Sequence, residues 1–130
     1  MYLTSLDVRD VRNIVHASIS PGPGFNLFYG LNGAGKTSLL ESIAILSTGR
    51  SFRAGKIGSV IRSDQDSLMI AAEIRRQQDA PGDRIGLQRG RQETTVRING
   101  QTINKISALA KSLPCAVSYT HLTLPTICSV

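Results

Sequence analysis

Short runs of mixed apolar and polar residues over Tyr2 to Val8 and Ile14 to Ser20 read as two strands, with RDVRN between them. PGPG at 21–24 breaks any regular element. The apolar run FNLFY, Phe25 to Tyr29, fits a short buried strand. From Thr37 the period changes. Leu39, Leu40, Ile43 and Leu46 recur at helical spacing, which predicts a helix with one apolar face, and Gly49 is placed to end it. A glycine- and cation-rich loop, SFRAGKIGS, follows at 51–59.

The chain then turns β-like. Ser67 to Ile74, Arg84 to Gln88 and Thr94 to Ile98 read as strands, and QQDAPGD at 77–83 is a polar turn. Asn99-Gly100 sits between VRI and QTI, a strong hairpin signal because both residues accept positive φ. Lys105 to Leu113 reads as a short helix ended by Pro114. There are no internal repeats, low-complexity tracts or charge blocks.

Between the third strand and the first helix lies Gly30-Leu31-Asn32-Gly33-Ala34-Gly35-Lys36-Thr37, which fits G-x-x-x-x-G-K-[ST] without a gap. Chance places this pattern in roughly one chain of this length in a few hundred. Its context, an apolar strand before and a helix after, sharpens it. The phosphates of a nucleoside triphosphate need several donors converging on a small volume. Bare glycine backbone supplies N–H groups there, and the following helix aims its positive end at the same point. Lys36 would reach the β and γ phosphates, and the Thr37 hydroxyl would take one position on Mg²⁺. The expected cofactors are therefore ATP and Mg²⁺.

Hydrolysis needs more than this loop. It needs an acidic pair at the end of an apolar strand. Downstream of Lys36 there is none. The nearest run, Leu68 to Glu73 (LMIAAE), ends in one carboxylate, and the nine acids are otherwise scattered. No catalytic residue is assigned, enzymatic activity stays open, and the chain taken alone is expected to bind ATP weakly or not at all and not to turn it over.

Size and composition set outer limits. At 130 residues, 41% hydrophobic and 18% charged, the chain is one globular domain's worth. No apolar run approaches a membrane span and no signal peptide is evident, so a cytoplasmic location without membrane contact is expected. Cys115 and Cys128 lack metal or disulfide spacing, and His16 and His121 stand alone. The net charge is +6, and 11 of the 15 cations are arginines, whose forks suit phosphate oxygens. A basic surface favours a nucleic-acid partner, while the 5% aromatic content argues against a base-stacking platform.

LDVRDVRNI, YGLNGAGKTSLLESI, TGRSFR and IGSVIR, taken together, resemble the start of the RecF family of bacterial DNA replication and repair proteins, which are ABC/SMC-like ATPases. The resemblance runs from about Met1 to Val117. It implies an α/β P-loop NTPase head fragment with a β-rich antiparallel subdomain over residues 1–117. It implies ATP binding at Gly30 to Thr37, with Arg12 and Asn13 beside the nucleotide and Arg50 and Arg53 toward nucleotide or DNA. It also implies an ATP-dependent homodimer that binds single-stranded or gapped DNA, works with RecO and RecR, and serves recombinational repair, replication and SOS induction. The family's signature motif and Walker B acids are missing. In their place stands SYTHLTLPTICSV at 118–130, which matches nothing in the family, resembles translated adapter sequence and is expected to be a non-native tail. Two rival readings are an ABC transporter-type ATP-binding cassette fragment and a truncated fragment without function. For the cassette, Gln77 and Gln78 stand at the distance of its glutamine loop, but in a turn. A small-molecule P-loop kinase is disfavoured, since Ser67 to Ile103 supplies no arginine-bearing lid.

Overall fold

The computed structural model describes residues 2–22, 24, 26–28, 36–48, 60–75, 82–91, 93–103 and 126–127. The elements are β1 (Tyr2–Val11), β2 (Ile14–Ile19), β3 (Leu27–Phe28), α1 (Lys36–Thr48), β4 (Ser67–Arg75), β5 (Asp83–Gly90), β6 (Thr94–Ile98), β7 (Gln101–Ile103) and β8 (Thr126–Ile127). Six strands form one antiparallel sheet in the order β2-β1-β4-β5-β6-β7, and β3 pairs with β8. The expected strands are all present: β1, β4 and β5 run slightly longer than their sequence signals, β2 and β3 shorter. Gly49, the 51–59 loop, the polar turn through Gln77 and Gln78, and the helix expected from Lys105 lie outside the described residues.

The core lies on one face of the sheet, under α1. β1 shows how the backbone adapts to it. Its buried residues are Leu3, Leu6, Val8 and Val11, spaced three, two and three apart. A strand of strict period two cannot turn all four inward. Two irregularities reset the phase: a register shift against β4 between Leu3 and Ser5, and a left-handed Asp10 with φ 58°. In β4 the alternation is clean, with Leu68, Ile70, Ala72 and Ile74 buried. Ile85, Leu87 and Val96 extend the same layer through β5 and β6.

The helix differs from its sequence reading. One apolar face is expected, yet Ser38 and every residue from Leu40 to Ser47 are buried, and Leu39 is half-buried. The buried polar residues are of kinds that satisfy themselves. The Ser42 hydroxyl donates to the Ser38 carbonyl at 2.8 Å, and Thr48, at the exposed end, does the same to Ala44. Glu41 is the exception, because no local backbone group can satisfy a carboxylate in mid-helix.

Candidate functional site

Lys36 opens α1 directly after the glycine stretch, and β3 ends at Phe28, so strand, loop and helix follow in the order the motif requires. Gly30, Leu31, Asn32, Gly33, Ala34 and Gly35 lie outside the described residues, as do Arg50 and Arg53 and the side chains of Lys36 and Thr37. The backbone of Lys36 and Thr37 forms the first turn of α1, which carries no acid. Nothing within that turn therefore neutralises the positive end of the helix.

Arg12 and Asn13, the turn between β1 and β2, come down on this helix. The Arg12 Nε donates to Glu41 Oε1 at 2.6 Å and its Nη2 to Glu41 Oε2 at 3.2 Å, a bidentate fork. The Glu41 side chain is wholly buried, while that of Arg12 is 31% exposed. The Ser38 hydroxyl makes a longer contact, 3.5 Å, to Asn13 Oδ1. Ser38 and Glu41 are three apart, so both contacts use one face of α1.

The turn is strained. Arg12 has φ 51°, in the left-handed region, two residues after left-handed Asp10. Such residues persist only where their surroundings over-determine them. Here the segment Val60 to Arg62 supplies the constraint. Arg12 N donates to Val60 O at 2.7 Å, Arg62 N donates to Asp10 O at 2.9 Å, and Val11 bridges Ile61 between them. Val60 and Ile61 are buried. The sequence motifs RDVRN, SLLES and VIR thus meet at one corner.

Sequence reasoning placed Arg12 and Asn13 at the site but missed Glu41. Its signal was a single charge in the otherwise uncharged stretch TSLLESIAIL. Glu73, the nearest sequence candidate for a catalytic acid, lies in β4 with Arg75 and Arg84 at 3.9 and 3.8 Å and is part of a surface ion cluster. Among the described residues no group of acids, histidines or cysteines could hold a metal, and no helix is long and apolar enough to cross a membrane.

The RecF/RecN/SMC N-terminal domain profile matches residues 2–118. The chain belongs to this family. Within the family it is similar to the DNA replication and repair protein RecF of Shewanella baltica, at 47% identity over 119 residues, and to that of Shewanella loihica, at 44% over 118 residues. Each match covers 90% of this chain and 32% of the relative, so the chain spans about a third of the length of these RecF proteins. A solved structure described as the recombination mediator protein RecF–ATP in the RecFOR pathway superposes with a TM-score of 0.75 at 29% identity, over 83% of this chain and 30% of that one. The SMC head domain from Thermotoga maritima superposes at 0.62 with 16% identity, over 85% and 41%, which shows a shared fold alone. The architecture is that of an ABC/SMC-like ATPase head carrying an antiparallel sheet, as the sequence led us to expect.

Proposed function

We propose that this chain is the nucleotide-binding portion of an ATP-dependent DNA-binding protein of recombinational repair, replication and SOS induction. The observation that carries the reading is the glycine loop leading straight into an α1 whose first turn holds no acid, with an arginine of a strained turn locked onto the same helix. In this reading Gly30 to Thr37 cradle the phosphates with backbone N–H groups, Lys36 adds a mobile charge, and Thr37 holds Mg²⁺. Arg12 and Asn13 stand beside the nucleotide. The acid-free first turn fits a polyanion at that point, and a solved RecF with ATP among the structural neighbours supports it.

DNA, single-stranded or gapped, is the proposed macromolecular partner. RecO and RecR, the ATP-dependent homodimer and the cytoplasmic setting come with the family reading, supported by relatives described as DNA replication and repair proteins. The family match favours this over the transporter cassette. Residues 1–117 make up the head portion, and 118–130 are read as foreign to it, in line with a family match that stops at 118. The chain alone supplies binding and no turnover, because the acidic half of a hydrolytic site has no counterpart in its sequence.

The test is an ATP titration with and without gapped DNA, beside Lys36→Ala. ATP binding that vanishes in the variant and is coupled to DNA supports the reading, and for this chain alone that binding is expected to be weak or absent. DNA binding indifferent to both ATP and salt sinks the reading, since phosphate contacts weaken as salt rises. ATP turnover above background contradicts the assignment of no catalytic acid.

A further inference from the structure

We infer that Glu41 is a positioning residue for the nucleotide site: its buried carboxylate locks the Arg12 guanidinium against α1 and holds the strained β1–β2 turn over the helix. The functional half of this inference rests on the nucleotide reading above; the structural half does not.

Three observations converge on it. First, Glu41 is wholly enclosed in mid-helix, among Leu40, Ser42 and Ile43, where an apolar side chain would pack without the cost of burying a charge. A buried pair of this kind adds little stability over an apolar replacement, so what it provides is a fixed geometry. Second, the carboxylate engages Nε and Nη2 together, which fixes the plane of the guanidinium. Nη1 has no partner among the described residues, and about a third of the side chain remains exposed. One arm of a fully oriented cation is thus presented at the turn. Third, the turn it orients is strained at Asp10 and Arg12 and stays in place through the backbone bonds to Val60 and Arg62 and the Asn13 contact with Ser38. Ser38 is two residues past Lys36. Without Glu41, the long Arg12 side chain would regain its rotamers, and a later anion contact would have to order it at an entropic cost.

The experiment has two arms on the full chain. In the first, amide hydrogen exchange is measured at Arg12 and Arg62 in Glu41→Gln and in the double variant Arg12→Met with Glu41→Met. The double variant replaces the pair by apolar side chains and guards against a collapse of the fold. Exchange at both amides is expected to quicken by about tenfold or more while β4–β6 amides stay protected. Unchanged exchange at Arg12 and Arg62 overturns the inference whether or not ATP binds. In the second arm ATP is titrated into Glu41→Gln, which keeps Arg12, and into the double variant, once the melting of each matches the parent; parental affinity in Glu41→Gln overturns the positioning role. Binding roughly ten- to a hundredfold weaker than in the parent is expected, the scale of one charge-assisted hydrogen bond. Parental affinity in a normally melting double variant overturns the positioning role. Lys36→Ala runs in parallel: should it bind ATP like the parent, the nucleotide reading fails by itself, and the exchange arm still decides the place of Glu41.

Discussion

Two tight turns in this molecule solve the same problem in opposite ways. Between β6 and β7, Ile98 faces Gln101 across Asn99-Gly100, with φ 53° and 84°. Between β1 and β2, Val11 faces Ile14 across Arg12-Asn13, with Arg12 at φ 51°. Both need left-handed backbone. The first takes it from asparagine and glycine, which accept it at little cost. Asn99 also exchanges hydrogen bonds with Arg84: its N donates to the Arg84 carbonyl at 2.8 Å, and its Oδ1 accepts from Arg84 N at 2.9 Å. The left-handed backbone there rests on residues that accept it, and the bonds to Arg84 only anchor the hairpin to β5. The second places an arginine where glycine would relax the chain, and depends on Glu41, Val60 and Arg62 to keep it there. Strain resolved locally marks a structural turn; strain held by distant residues marks a corner maintained for what it presents.

The strongest way to break this contrast is Arg12→Ala. It takes the bidentate guanidinium away from the buried Glu41 carboxylate, and a loss of about 3–5 kcal/mol in chemical denaturation is expected. A loss below about 1 kcal/mol would mean that the Arg12 fork is not what holds the corner. Gly100→Ala comes next. A Cβ at φ 84° meets no neighbour but strains its own backbone, so about 1–2 kcal/mol should be lost in the melting curve. If it melts like the parent, the hairpin does not depend on its glycine. Asp10→Gly should run the other way. Its side chain has no partner among the described residues, and relief of φ 58° should stabilise the chain by about 0.5–1 kcal/mol. Destabilisation would show that the side chain of Asp10 is needed. The smallest effect is expected at Asp7, which meets Arg9 at 3.4 Å and His16 at 2.6 Å on the exposed face of the sheet. Asp7→Ala should change stability by less than about 0.5 kcal/mol, measured at two salt concentrations.

These turns also show what the amino-acid pattern could reveal. Asn99-Gly100 was legible because its chemistry is local, and β4 was legible as an apolar run between turns, although only the structure shows which of its residues face inward. The β1–β2 pair was recognised, but the phase shifts at Leu3/Ser5 and Asp10 were not, since they are imposed by the partner strand and by Val60 to Arg62. The amphipathic reading of α1 failed for a related reason. Serines count as polar in a pattern, yet Ser42 satisfies its hydroxyl on its own helix and is buried at no great cost. For the proposed site, the glycine loop could be read from the sequence, and Arg12 and Asn13 were named through the family resemblance. Glu41 stayed hidden because its partner stands 29 residues away and only tertiary structure brings them together.

The sheet order carries a kinetic consequence. β4, β5, β6 and β7 are neighbours in sequence and in space, whereas β1 reaches β4 by joining residues 2–9 to residues 69–75. Everything that forms the corner, from the β1–β2 turn through α1 to Arg62, lies on the long loop which that pairing closes. Chain entropy must be overcome before such contacts form, so the expected order of assembly is the β4–β7 meander first and the closure by β1 late. Pulse-labelled exchange during refolding should show protection in β5 and β6 ahead of Arg12 and Arg62, and simultaneous protection would refute that order. The end proposed to bind phosphate would then be the last part of the molecule to mature, and a chain able to capture a nucleotide would already be one whose sheet had closed.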